Sequence, residues 1–230
     1  MTEKEKSEKI AKLKKLVKPE YEKIKCWTHG WPHAESVAKT AGQLAEMEGE
    51  DPFYFEIAGY CHDLGRVEEQ ELGPVLRTPP GNLGHAEYSV KPAKKFLDRI
   101  GITGTVRNQI IGAVGVHSVK KYSGPNKIAS VLQDADRKDG LGEWGVIRVA
   151  VFNAEVDIKE SELKNGFEFV IRKIENILEK DATTMERFLI GLSHTLQWYE
   201  DLLNTKSAEK LLKDDYLYAK EFYKKISEMK

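Results

Sequence analysis

The chain has 230 residues, 40% of them hydrophobic and 32% charged, with Lys+Arg 36 against Asp+Glu 37 and a formal net charge of -1. No apolar stretch approaches the roughly 18 residues of a membrane span, the Lys/Glu-rich first 25 residues lack the apolar core of a signal peptide, and the charge balance excludes broad attraction to nucleic acid or to a membrane surface. Cys26 and Cys61 have no metal or redox spacing, which predicts two reduced thiols in a cytoplasmic protein.

Apolar residues recur at spacings of three and four, and alternating runs are nearly absent, so the predicted fold class is all-α. Helices are predicted over about 4–25, 33–48, 53–64, 85–100, 103–118, 126–140, 166–180, 183–204 and 207–228. Breakers separate them at Gly30 and Pro32, Gly49 to Pro52, Gly101, Gly124-Pro125, and Gly140 to Gly145. The longest irregular stretch, Leu72 to Gly84, carries Pro74, Pro79 and Pro80 and reads either as a lid or specificity loop or as a plain surface excursion. No repeat, low-complexity tract or linker marks a boundary, so a single domain over 1–230 is expected. The amphipathic helices after Ser161 cover the core or serve an oligomer interface, such as that of a homodimer; the pattern leaves both open.

The chemistry concentrates in three places. The segment Phe53 to Gly65 is apolar or small nearly all round, as a helix buried on every side should be, and it ends in His62-Asp63. A carboxylate at the edge of an apolar helix is costly unless it is paired or bound to a metal. His33 shares an inward stripe with Val37, Ala41 and Leu44, and His117 continues the stripe of Val106, Ile110 and Val114. One inward histidine reads as a satisfied core residue, and one buried aspartate as the partner of an arginine. Two such histidines and a His-Asp pair in one chain favour a metal site. Imidazole and carboxylate ligands without thiolate suit Mn, Fe, Co, Ni or Zn. The segment QDADRKDGLG adds Asp134, Asp136 and Asp139, and helical periodicity leaves open which of them reaches a site.

Together these pieces resemble the HD-domain superfamily of metal-dependent phosphohydrolases, with its early His, its His-Asp dyad and its distant Asp. The resemblance is closest to small bacterial and archaeal HD hydrolases with a GHAE segment, here Gly84 to Glu87, and a DADR-x-D-x-L-G segment, here Asp134 to Gly142. It covers about Thr28 to Ala150 and implies a compact helical HD core over about 28–150, with a C-terminal helical extension over about 160–230. It also implies His33, His62, Asp63 and Asp136 as ligands of a divalent ion, with Mn, Fe, Co, Ni, Mg and Zn all open. His85 and His117 match histidines that line the substrate pocket or complete a second metal site in related HD proteins. Asp63, His85 and His117 are the implied catalytic groups: Asp63 orients the attacking water, and a histidine protonates the leaving oxygen. Arg66 and Arg137 are implied to contact phosphate, and Asp139 to orient a histidine or arginine. Arg66 departs from relatives that carry an acidic residue at that position; Glu68 and Glu69 come after it. His29 reads as a loop residue and His194 as structural. The implied activity is hydrolysis of a phosphate ester or anhydride, with a nucleotide as the substrate. Two competing readings are a degenerate HD module that binds a nucleotide or partner without catalysis, and a di-iron oxygenase or lyase on the same core.

Overall fold

The structure is a computed structural model that describes residues 1–72 and 84–229. Most of the expected Leu72–Gly84 loop lies outside the described residues. Those residues form twelve α-helices and no strand, so the expected all-α class holds. None of these helices is long and apolar enough to cross a membrane. The chain divides into two compact units, Met1–Asp136 and Arg137–Lys230.

The first unit contains α1 (Glu3–Tyr21), α2 (Trp31–Met47), α3 (Pro52–Cys61), α4 (Arg66–Leu72), α5 (His85–Arg99), α6 (Gly104–Val116) and most of α7 (Lys127–Lys138). Helix α1 opens on a capping box: Thr2 Oγ1 accepts the Glu5 N–H and Glu5 Oε2 accepts the Thr2 N–H, satisfying two donors that a helix start leaves unpaired. Its inward stripe is Leu13, Val17 and Tyr21. Helices α2 and α3 lie against each other through Val37, Ala38, Ala41 and Leu44 on one side and Ile57 and Ala58 on the other, all fully buried. The approach is close enough that a Cβ on Gly59 would lie 2.4 Å from the Ala38 Cα. Small residues at this crossing therefore bring the N-terminal turn of α2 and the C-terminal end of α3 together, and those ends carry His33 and His62-Asp63.

The second unit contains α8 (Gly142–Phe152), α9 (Phe167–Lys180), α10 (Ala182–Gln197), α11 (Lys206–Leu211) and α12 (Lys213–Ser227). Its core is mostly apolar, built from residues such as Ile147, Ile174, Phe188, Leu192, Ala219 and Ile226. Helix α8 occupies a stretch that reads as breakers. Gly142 opens it at φ +65, and a Cβ on Gly145 would lie 2.2 Å from the Gly140 carbonyl carbon, so these glycines serve a tight helix entry rather than a loop. The helix expected over 183–204 ends at Gln197 in a π-turn, Trp198–Leu202, and the one expected over 207–228 divides at Leu212.

Candidate metal centre

Helix ends supply most of the site. The last carbonyls of an α-helix have no partner within the helix. His62 comes directly after the last residue of α3 and donates its Nδ1–H to the Gly59 carbonyl at 2.7 Å. His117 comes directly after the last residue of α6 and donates its Nδ1–H to the Val114 carbonyl at 2.7 Å. A carbonyl can only accept, so in both rings Nδ1 carries a proton, and in the neutral ring Nε2 is then the bare nitrogen. Each histidine thus closes its own helix while presenting a ligand nitrogen. Buried Tyr21 secures the turn after α3 from α1, donating its hydroxyl to the Tyr60 carbonyl at 3.2 Å and accepting the Asp63 N–H at 3.3 Å. Buried Gln133 of α7 secures His117, whose carbonyl accepts from Nε2 at 3.2 Å.

His85 reaches the site from the start of α5. Ser89 accepts the Gly65 N–H at 2.8 Å and donates its hydroxyl to the His85 carbonyl at 2.8 Å, latching α5 onto the His62-Asp63 turn. The fit is tight: a Cβ on Gly65 would lie 2.3 Å from the His85 carbonyl oxygen. His33 enters from the first turn of α2, where Pro32 lacks an N–H that the helix would not use.

The donor atoms converge in two sets that share Asp63. In the first, His33 Nε2 and His62 Nε2 lie 3.2 Å apart, each 3.6 Å from Asp63 Oδ2. Asp136 Oδ1 is 3.3 Å from His33 Nε2 and 3.8 Å from His62 Nε2. In the second set, His85 Nε2 and His117 Nε2 lie 3.1 Å apart, 3.3 and 3.5 Å from Asp63 Oδ1. Ligands about 2.1 Å from one ion stand roughly 3–3.5 Å from one another; the second set has this spacing, and the first, with its longest distance 3.8 Å, lies close to it. Two further observations support a metal. His117 Nε2 faces another imidazole nitrogen and a carboxylate oxygen, and with the ring proton on Nδ1 these three acceptors gather where a cation would fit. Asp63 Oδ1 is buried with no hydrogen-bond donor, the orphan that a coordinated ion would satisfy. His33, His62, Asp63, His85, His117 and Asp136 all belong to groups able to hold a metal ion.

The electrostatics agree. Burial pulls the His62 pKa down to about 4, so its ring is neutral and ready to ligate at ordinary pH. Burial and the adjacent Arg66 lower that of His85. Burial would raise the carboxyl of Asp63, but Arg66, His62 and His85 outweigh it and hold it well below the usual carboxylate range. Desolvation of Asp136 is likewise overcome by its hydrogen bond with His33 and the nearby imidazoles. Arg66 spans two carboxylates, donating Nε to Asp63 Oδ2 at 3.1 Å and Nη1 to Glu69 Oε2 at 3.2 Å.

The structure therefore gathers seven residues singled out from the sequence: His33, His62, Asp63, Arg66, His85, His117 and Asp136. Among the aspartates of α7 it brings Asp136 to the cluster, whereas fully buried Asp134 belongs to none of the metal-holding groups. Arg137 is buried and donates to the Leu202 carbonyl. Asp139 accepts the Trp144 Nε1–H at 3.1 Å and faces Arg148 at 3.6 Å, contacts within the second unit. His29, expected in a loop, is buried in a 3-10 turn with its ring 5.9 Å from that of His33. Glu69 and Tyr21 have no role legible in the sequence. Glu69 needs a helix over 66–72 that no apolar period announces, and Tyr21 reads as one more core position of an amphipathic helix.

Residues 30–141 match the family model of the HD domain. Its fold is similar to that of Bacillus subtilis YpgQ in complex with ADP, with a TM-score of 0.61 and 18% identity over 97% of this chain and 96% of that one. Another structure of Bacillus subtilis YpgQ matches with a TM-score of 0.56 and 20% identity over 91% and 95% of the two chains. A predicted HD superfamily hydrolase from an uncultured Thermotogales bacterium matches with a TM-score of 0.48 and 22% identity over 72% and 91%. No curated protein matches the chain.

Proposed function

We propose that this protein is a divalent-metal-dependent phosphohydrolase whose substrate is a nucleotide, cleaved at a phosphate ester or anhydride. The observation that carries the reading is Asp63, a buried carboxylate whose Oδ2 faces His33 and His62 and whose Oδ1 faces His85 and His117, Oδ1 having no hydrogen-bond donor. In this reading His33, His62, Asp63 and Asp136 would hold one ion, and Asp63, His85 and His117 would hold a second. Ions held by such ligands lower the pKa of bound water and polarise phosphoryl oxygens, the two requirements of phosphate hydrolysis near neutral pH. His117 then serves as a ligand rather than as an acid toward the leaving oxygen, because its Nδ1–H is committed to the Val114 carbonyl, and the Nδ1 of His85 likewise faces Glu69 Oε1 at 3.4 Å. Arg66, partly exposed beside the cluster, supplies a guanidinium where phosphate charge gathers, and its two carboxylate partners fix its plane. The choice of a nucleotide is supported by the ADP bound to Bacillus subtilis YpgQ, which shares this fold. The imidazole and carboxylate donors suit Mn, Fe, Co, Ni or Zn.

The test is a screen of nucleoside mono-, di- and triphosphates, cyclic nucleotides and sugar phosphates with chelated and reconstituted protein. Chelation should abolish turnover, and Mn, Co or Ni should restore it. Turnover unchanged after exhaustive chelation contradicts the mechanism, and metal uptake without turnover of any phosphorylated compound would favour the binding-module reading.

A further inference from the structure

The three histidines around Asp63 Oδ1 and its turn do not solve the same problem in the same way. His62 and His117 stand at helix C-terminal ends, where spare carbonyls accept their Nδ1–H groups. His85 is the first residue of α5, and a helix start offers spare N–H donors instead of acceptors. Its Nδ1 must be held by a group brought from outside the helix. The side chain facing it is Glu69 of α4, with Oε1 at 3.4 Å. Glu69 is itself held from the other side, since its Oε2 accepts Nη1 of Arg66 at 3.2 Å, and Arg66 Nε donates to Asp63 Oδ2 at 3.1 Å. The circuit closes on one carboxylate: Asp63 Oδ2, Arg66, Glu69, His85, and back to Asp63 Oδ1, 3.3 Å from His85 Nε2.

We propose that Glu69 is a positioning residue for the second divalent ion. Its carboxylate accepts a hydrogen bond from the Nδ1–H of His85, which leaves Nε2 of the neutral ring bare and 3.3 Å from Asp63 Oδ1, while Arg66 fixes that carboxylate. The inference rests on the two-ion reading of the site and adds the residue on which the weaker half of the centre depends. A carboxylate on the outer nitrogen of a ligand histidine sets its tautomer and orientation, and losing it typically costs about 10- to 100-fold in metal affinity.

The experiment is equilibrium dialysis of metal-free protein against Co2+, with the visible absorption of bound Co2+ recorded at each step. Wild type should bind two ions per chain. Glu69→Ala should weaken the second ion by about 10- to 100-fold and leave the first within about twofold. Glu69→Gln, which keeps an acceptor oxygen, should fall between them, and it carries the test alone should Glu69→Ala fail to fold by circular dichroism. Adding Glu69→Ala to His85→Ala should weaken the second ion no further, because the two residues act through one contact. The assignment is overturned if Glu69→Ala and Glu69→Gln both retain wild-type affinity for the second ion, if both ions weaken equally, or if the double variant loses a further tenfold. Wild type that takes up only one ion overturns the two-ion reading itself, a result distinct from two ions bound with no dependence on Glu69.

Discussion

The two halves of the metal centre share one carboxylate and are otherwise built differently. The half around Asp63 Oδ2 draws on α2, α3 and α7. The α2–α3 crossing is fixed by small residues packed to contact, and His62 is tied to its own backbone. The half around Asp63 Oδ1 depends on α5, whose register is set by the Ser89 latch and whose histidine leans on a side chain of the short helix α4. The first half is therefore preorganised by core packing; in the second, His117 is tied to its own helix as His62 is, and His85 is the ligand that depends on a chain of polar contacts. Core packing holds a ligand against the loss of any one neighbour, whereas a polar chain fails when one link is cut. The first ion should be bound tightly and the second more weakly and more sensitively.

The largest effect is expected where the halves meet. Asp63→Asn removes a ligand from both sets and should abolish retention of both ions, with turnover falling at least about 10³-fold, as loss of a group that acts as part of a unit does; metal analysis beside a turnover assay checks it. Asp136→Asn should strip the first ion and leave the second set intact, while Asp134→Asn should cost stability without removing metal. If Asp134→Asn loses its ion and Asp136→Asn keeps it, the first half is misassigned.

The pH dependence of the metal-free protein separates folding from binding. The folded pKa of His62 lies at about 4, against 6.5 for the exposed group. A pKa depressed in the folded state means that the unfolded chain takes up the proton first. Stability is therefore fully present above pH 6.5 and is lost as pH falls from there toward 4, by roughly 3 kcal/mol from this group. Thermal unfolding of chelated protein across that range should show the fall, and His62→Gln should flatten it. Gly65→Ala is a smaller perturbation aimed at the second half. Its Cβ cannot coexist with the His85 carbonyl in the present geometry, so α5 must shift, at a cost of about 1–3 kcal/mol. Chemical denaturation should show that loss, and dialysis should show the second ion weakened more than the first.

Features that helical period dictates are legible in the sequence. His33 and His117 sit on apolar stripes, His62-Asp63 closes a helix buried all round, and each of these residues reaches the cluster. Period stops helping on α7, where Asp134 is fully buried and Asp136 has a side chain 31% exposed. Burial alone would select Asp134, whereas the aspartate whose Oδ1 lies 3.3 Å from His33 Nε2 is Asp136, which faces a polar cluster beside the core rather than the core itself. The resemblance to HD hydrolases, not periodicity, points to Asp136. The helices that a sequence pattern misses have physical reasons too. Helix α8 begins with glycines that a pattern counts as breakers, and α4 is a single charged stretch with no apolar stripe. The parts of the site that remain invisible, Tyr21, Ser89 and Glu69, act through contacts between elements distant in the chain, which local pattern does not encode.

The central claim is that Asp63 divides its two oxygens between two ions. Anomalous diffraction at the manganese edge, from crystals of the reconstituted protein, tests it most directly. The account predicts two peaks flanking Asp63, one among His33, His62 and Asp136 and the other between His85 and His117. A single peak with Asp63 Oδ1 turned to a protein donor, or no peak near Asp63 at all, would contradict it.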